Sequence, residues 1–321
     1  MIEDPFAPIH EQPDPTLIAV VEQLEATMSA MPPMESMTAA QLRAREEQQA
    51  ALNPSAAKRD DAEERAIAGP GGEVRLRILA PASEPAAVYV HIHGGGWIGG
   101  RHDLRDQFLH DLGTRLHAVV VSVAYRLAPE HPFPAPQDDC EAATAWVVEH
   151  AQQEFGTSTV VIGGESAGAH LAAATLLRMR DRHGYTGFAA ADLRYGCYDL
   201  RLTPSVRHWK RPFLDRATME WLVPQVIGGL PVEDPDVSPF LADLHDLPPA
   251  LFTVGTGDSL LDDSVLMWAR WRTAGNTADL AICPGAPHGF DLMPLPPGET
   301  ARARAAAFVT DCIAQRAVEV A

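Results

Sequence analysis

Thr159-Val160-Val161-Ile162-Gly163-Gly164-Glu165-Ser166-Ala167-Gly168 passes from a short apolar run into a serine held between glycines, and a helical run at 170–179 follows at once. The order is strand, sharp turn, helix, with G-x-S-x-G at the turn. Glycine suits positions 164 and 168 because a strand-to-helix turn this tight brings backbones too close for a Cβ, while the turn lifts the Ser166 hydroxyl out of the sheet. A serine hydroxyl is a weak nucleophile at neutral pH. It needs a base, and the base needs a carboxylate to orient it.

Outward from this stretch, apolar runs recur at 88–92, 118–123 and 251–254, with room between them for crossover helices. Buried strands alternating with helices indicate the α/β class, with a mostly parallel sheet covered on both faces. Near residue 63 the pattern changes to period two, and Val74, Leu76 and Ile78 after Gly69-Pro70-Gly71-Gly72 predict a hairpin strand at a solvent-facing edge. Residues 1–66 read as two helices. Asp14 caps the first with Pro15 in its first turn; Thr38 and Gln41 form a capping box for the second, which stops before Asn53-Pro54. The stretch 203–243, rich in Pro, Trp and Met, breaks the strand–helix alternation and reads as an insertion.

The two missing partners of Ser166 are sought downstream. Asp258 follows the strand 251–254 and a Gly255-Thr256-Gly257 turn, and His288 follows a predicted strand at 277–282, which gives the chain order Ser, Asp, His. Asp262 and Asp263 fall at a helix start, where acids complement the dipole, and Asp291 is expected to face elsewhere. A tetrahedral intermediate needs backbone N–H donors, and His93-Gly94-Gly95-Gly96-Trp97 supplies a loop able to present them. No Lys follows that loop as a phosphate cradle would require.

Composition removes other classes. Lys plus Arg number 25 against 43 Asp plus Glu, a net charge of −18 that repels phosphate backbones, so nucleic acid is not an expected partner. No apolar run is long enough to span a membrane, and the first residues lack the basic and apolar segments of a signal peptide, so a cytoplasmic location is expected. Cys140, Cys197, Cys283 and Cys312 form no C-x-x-C pair and read as reduced thiols.

Four segments together resemble the hormone-sensitive-lipase-like branch of the α/β-hydrolases, the bacterial family IV carboxylesterases: His93 to Trp97, Tyr125-Arg126-Leu127-Ala128-Pro129-Glu130-His131-Pro132-Phe133-Pro134-Ala135, Gly164 to Gly168, and Pro287-His288-Gly289-Phe290. The resemblance implies an α/β-hydrolase fold and a serine esterase acting on small esters with no metal or cofactor. It implies Ser166, Asp258 and His288 as the triad, the amides of Gly95, Gly96 and Ala167 as the oxyanion hole, and His93 as the organiser of the glycine loop. It further implies a helical cap made of residues 1–66 and an insertion at about 201–240 over a catalytic domain at 67–321. Trp97, Trp209, Phe213, Met219, Trp221 and Leu222 are then candidates for the acyl pocket. Formamidase-like relatives make amide cleavage an alternative, and the similar gibberellin receptors make a non-catalytic binder another. Family members often pair, so a homodimer is expected by analogy. The chain departs from the family pattern at Glu165, at Ser259, and at Tyr195-Gly196-Cys197-Tyr198-Asp199.

Overall fold

The computed structural model describes residues 6–52, 57–212, 214–293 and 296–320. Two N-terminal helices, α1 (Pro15–Ser29) and α2 (Ala39–Leu52), come first. Their starts follow the local chemistry: Asp14 Oδ1 accepts from the Thr16 and Leu17 amides at 2.7 and 3.3 Å, and Thr38 and Gln41 exchange bonds at 2.8 and 3.2 Å. Asn53 and Pro54, expected to close α2, lie outside the described residues.

Eight strands form one sheet: β1 (Glu63–Gly69), β2 (Gly72–Leu79), β3 (Ala87–Ile92), β4 (Ala118–Ala124), β5 (Val160–Glu165), β6 (Ala190–Arg194), β7 (Ala250–Gly257) and β8 (Ala278–Pro287). Their order is β1-β2-β4-β3-β5-β6-β7-β8. The β1–β2 hairpin turns at Gly69 and Gly72, and β2 joins β4 antiparallel; every other neighbour is parallel.

Because side chains alternate across a strand, the buried residues divide between two faces. Tyr89, Val120 and Val161 join Leu109, Leu112 and Val309 from α3 (Asp106–Leu116) and α9 (Pro296–Val320) in one core. Val88, Val90, Val121 and Ile162 join the other, with Ala143 and Val147 of α4 (Ala135–Phe155), Leu171 and Leu176 of α5 (Ala167–His183), and Met267 and Trp271 of α8 (Leu261–Thr273). Between β6 and β7 the chain makes α6 (Pro204–His208) and α7 (Arg216–Val226), within the stretch read as an insertion.

One strand escapes the apolar-run criterion. β6 reads Ala-Ala-Asp-Leu-Arg, yet all five residues are buried between β5 and β7. Asp192 and Arg194 break the sequence signal because they are charged. Inside the sheet each is met by polar partners, and that is what allows an interior strand to carry them.

Candidate active site

In a parallel sheet the loops at the carboxyl ends of the strands converge, and here they bring together residues far apart in sequence. Ser166 stands between β5 and α5 with φ 56° and ψ −121°, a backbone region that L-residues rarely adopt. Its amide donates to Arg194 O at 2.9 Å. The glycines on either side leave the needed space: a Cβ at 164 would lie 2.3 Å from Ile92 O, and one at 168 would lie 1.9 Å from the same atom.

His288 Nε2 lies 2.9 Å from Ser166 Oγ, and His288 Nδ1 lies 2.8 Å from Asp258 Oδ2. The Leu260 amide donates to Asp258 Oδ1 at 2.9 Å, and Asp258 is buried. An ionised carboxylate only accepts, so Nδ1 carries the proton and Nε2 is left to accept from the serine hydroxyl. The Tyr195 ring meets the imidazole edge to face at 4.8 Å.

The glycine loop lies against the same hydroxyl. Gly94 N donates to Glu165 Oε1 at 3.1 Å, while the Gly95 and Gly96 amides donate to no group among the described residues. Gly95 sits at φ 120°, where a side chain would also collide with Gly99 O at 2.3 Å. Ala167 opens α5, so its amide is one of the unpaired donors of a helix N-terminus. His93 is buried, its Nδ1 is 2.8 Å from Gly94 O, and its ring stacks on Tyr125 at 4.2 Å. Burial pulls the His93 imidazole down to about 3, so it stays neutral at ordinary pH. The Tyr125 to Ala135 run braces this loop: Tyr125 OH donates to His93 O at 2.8 Å, Ala128 N to Trp97 O at 3.0 Å, and Arg126 pairs with Asp139 at 2.8 Å.

Glu165 is a buried hub. His91 Nε2 lies 2.9 Å from it, and Arg105 and Arg194 each lie 3.4 Å away. Burial would raise its carboxyl, but His91 and the two guanidinium groups outweigh that and hold it far below the usual carboxylate range. Arg194 also donates to Asp291 Oδ2 at 2.8 Å, and Tyr195 OH donates to the other oxygen of the same carboxylate. Asp291 therefore turns from His288 toward β6, as its place in the sequence suggested. Arg194 ties the serine turn to the histidine loop, a role the apolar-run reading of the sequence could not find; a charged pair two apart before the Tyr195 departure was the available signal.

A cavity of about 310 Å³ opens on Ser166. Of the six residues considered for an acyl pocket, Leu222 lines it. Trp97 turns into the core instead, donating to His170 Nδ1 at 3.2 Å and packing on Phe133. Burial lowers His170 to about 4, which keeps that nitrogen an acceptor. Met219 is buried on the inner side of α7, and Trp221 packs half-buried against the core. Trp209 borders a separate small hollow beside Asp258 and His288. Phe213 lies outside the described residues. The cavity is lined instead by Met34, Leu42 and Gln49 from the N-terminal segment and by Leu214 and Leu292, side chains whose approach to Ser166 no local pattern announces.

Among the described residues no helix is long and apolar enough to cross a membrane. Residues 89–292 match the sequence profile of the alpha/beta hydrolase fold. Carboxylic ester hydrolase LipN of Mycobacterium tuberculosis is 35% identical over 241 residues, 72% of this chain and 64% of LipN, so the match spans just under two thirds of that relative. Carboxylesterase NlhH of the same organism is 33% identical over 238 residues, 71% of this chain and 75% of its own. Among solved structures, a hyperthermophilic esterase from the archaeon Pyrobaculum calidifontis aligns with a TM-score of 0.84 at 30% identity, covering 94% of this chain and 99% of the other.

Proposed function

This chain belongs to the hormone-sensitive-lipase-like family of carboxylic ester hydrolases on the α/β-hydrolase fold, and from that premise we propose that it hydrolyses short-chain carboxylic esters through an acyl-enzyme on Ser166. The observation that carries the reading is the unbroken chain Ser166 Oγ, His288, Asp258, with links of 2.9 and 2.8 Å. Ser166 Oγ attacks the ester carbonyl carbon as His288 Nε2 takes its proton, and Asp258 steadies the imidazolium. The negative charge that forms on the carbonyl oxygen is met by the amides of Gly95, Gly96 and Ala167, and one such donor is worth about 10²–10³ in rate. His288 then returns the proton to the departing alcohol. In the second half-reaction it activates a water that releases the acid and restores the serine hydroxyl.

The N-terminal helices and the α6–α7 stretch together act as the cap. Support comes from the cavity wall, which takes Leu42 from α2 and Met34 from the link between α1 and α2, and Leu214 and Leu222 from the α6–α7 stretch. A pocket of about 310 Å³ is at the small end of ligand sites. Each acyl methylene gains about 0.8 kcal/mol only until the space is filled, so short acyl groups are favoured. Two measurements test this reading. Ser166→Ala should abolish labelling by a fluorophosphonate probe and lower kcat by about 10⁶; retention of a tenth of the activity in pure protein refutes the nucleophile. Across p-nitrophenyl esters from acetate to palmitate, kcat/KM should rise and then fall, and a steady climb to palmitate refutes the short pocket.

A further inference from the structure

Trp97, Phe133 and His170 meet in a buried cluster of rings where the glycine loop reaches α5. Trp97 crosses Phe133 at 6.0 Å and His170 at 5.2 Å, each edge to face, and Phe133 stacks on His170 at 5.5 Å. Each ring comes from a different piece of the chain: Trp97 ends the glycine loop, Phe133 lies just before α4, and His170 stands in the first turn of α5, its amide donating to Ser166 O at 3.2 Å. The chain returning from α7 is tied to the same cluster. Phe133 N donates to Val226 O at 2.7 Å, and His170 Nε2 lies 2.9 Å from Val237 O. A carbonyl oxygen only accepts, so Nε2 carries the imidazole proton and Nδ1 is left to accept from Trp97 Nε1 at 3.2 Å. Both nitrogens of His170 are thereby used.

The glycine loop needs such an anchor. Gly95 and Gly96 sit at φ 120° and 60°, and glycine takes positive and negative φ about equally, so by themselves these residues exert little hold on where their amides point. Their direction is set from the two ends. Upstream, His93 stacks on Tyr125 and bonds Gly94 O. Downstream, Trp97 sits at φ 60°, a conformation that a residue with a Cβ keeps only where its surroundings enforce it. The Ala128 amide on its carbonyl and His170 on its indole N–H do so. The turn bond from Gly99 N to Gly95 O, 2.9 Å, spans Trp97, so the loop moves with that residue. We propose that His170 is a positioning residue for the oxyanion hole, fixing the glycine loop through Trp97 against the helix that opens after Ser166. This rests on the reading of Ser166 as nucleophile and of Gly95 and Gly96 as donors. One side chain then sets the spacing between the group that attacks and the amides that receive the charge. The arrangement requires a neutral imidazole, and burial keeps it neutral. A misplacement of about 1 Å in such a constellation costs about 10² in rate.

The test measures kcat on p-nitrophenyl acetate per site titrated with a fluorophosphonate probe, so that unfolded protein does not enter the rate. His170→Phe keeps a ring on Phe133 and removes both nitrogens, while Trp97→Phe keeps a ring and removes the donor. Each should lower kcat about ten- to a hundredfold with KM changed less than about threefold. Affinity for phenylboronic acid, whose tetrahedral serine adduct places an oxygen on the same amides, should fall with kcat. Because both changes break one bond, the double variant should lose no more than about twofold beyond the worse single variant. If His170→Phe does not fold, Trp97→Phe carries the test through its kcat and its boronate affinity. A native kcat per titrated site in either variant overturns the proposal, and so do losses that multiply in the double variant or that leave boronate affinity unchanged. Failure of the serine mechanism would be seen separately, as a native chain that the probe does not label.

Discussion

At the scale of single residues, the proposed choice among neighbouring carboxylates rests on where each one's oxygens go. Asp258 reaches His288 Nδ1, whereas Asp262 Oδ2 accepts from the Ser205 amide at 2.8 Å and Asp263 accepts from the Tyr198 and Asp199 amides at 2.8 and 3.0 Å. The helix-start position of the last two was legible in the sequence; their use as ties to the segment leading into α6 was not, because those partners lie some sixty residues away. An Asn in place of the orienting Asp keeps the shape but favours the wrong imidazole tautomer, costing about 10⁴ in kcat in a protease triad. Asp258→Asn should therefore lose activity on that order with its melting temperature little changed, and Asp262→Asn should do the reverse. Kinetics on p-nitrophenyl acetate beside thermal melts would expose an exchanged pair of outcomes. In the proposed acyl pocket, Leu222 lies against the glycine loop, with Cδ2 at 3.3 Å from a Cβ placed on Gly96. Leu222→Ala should move the preferred acyl chain longer by one or two carbons, on the order of the volume removed. An unchanged optimum in the ester series would remove Leu222 from the pocket.

Elements meet where two backbones touch, and the β3–β5–α5 junction is a tight one. Gly168→Ala would drive a methyl into the Ile92 carbonyl, an atom fixed in the middle of the sheet. The expected cost is about 1–3 kcal/mol, read as a lower urea midpoint, together with a loss of turnover as the serine turn shifts. A fully stable, fully active variant would contradict the contact. The α8 junction titrates instead. Burial raises the Asp263 carboxyl to about 7, although the Thr203 hydroxyl and two amides pull the other way. A raised acid keeps its proton in the fold at pH values where the unfolded chain has released it. Its contribution to stability is therefore whole below the ordinary aspartate value near 3.9 and is lost as pH rises through about 7. Melting temperature should fall over that range in the native chain, and Asp263→Asn, which keeps an acceptor for both amides, should flatten the fall; an unaltered slope would place the titration elsewhere.

For the molecule as a whole, what was readable and what was not follow from the range of the interactions involved. Caps at Asp14 and Thr38, the glycine turn around Ser166, the period-two hairpin and the alternation of apolar runs with helices are written in neighbours a few residues apart, and local sterics and hydrogen bonding enforce them wherever the chain goes. Those features suffice for the α/β class. With the motif segments they also bring forward Ser166, Asp258 and His288 as the proposed triad, because strand ends in a parallel sheet must converge. β6 was hidden, since its Asp and Arg look like loop residues until Tyr89, Asp291 and Glu165 stand around them. The wall of the Ser166 cavity was hidden for a related reason: an aromatic or a leucine carries no mark saying whether it faces a pocket or a core. Trp97 met His170 and Phe133 and went inward, while Met34 and Leu42, from a weakly patterned N-terminal segment, reached the cavity. The sequence alone determined the backbone turns and the candidates for the reacting groups, whose requirements are local. Which side chains surround those groups was decided only by tertiary packing, because burial depends on what arrives from the far end of the chain.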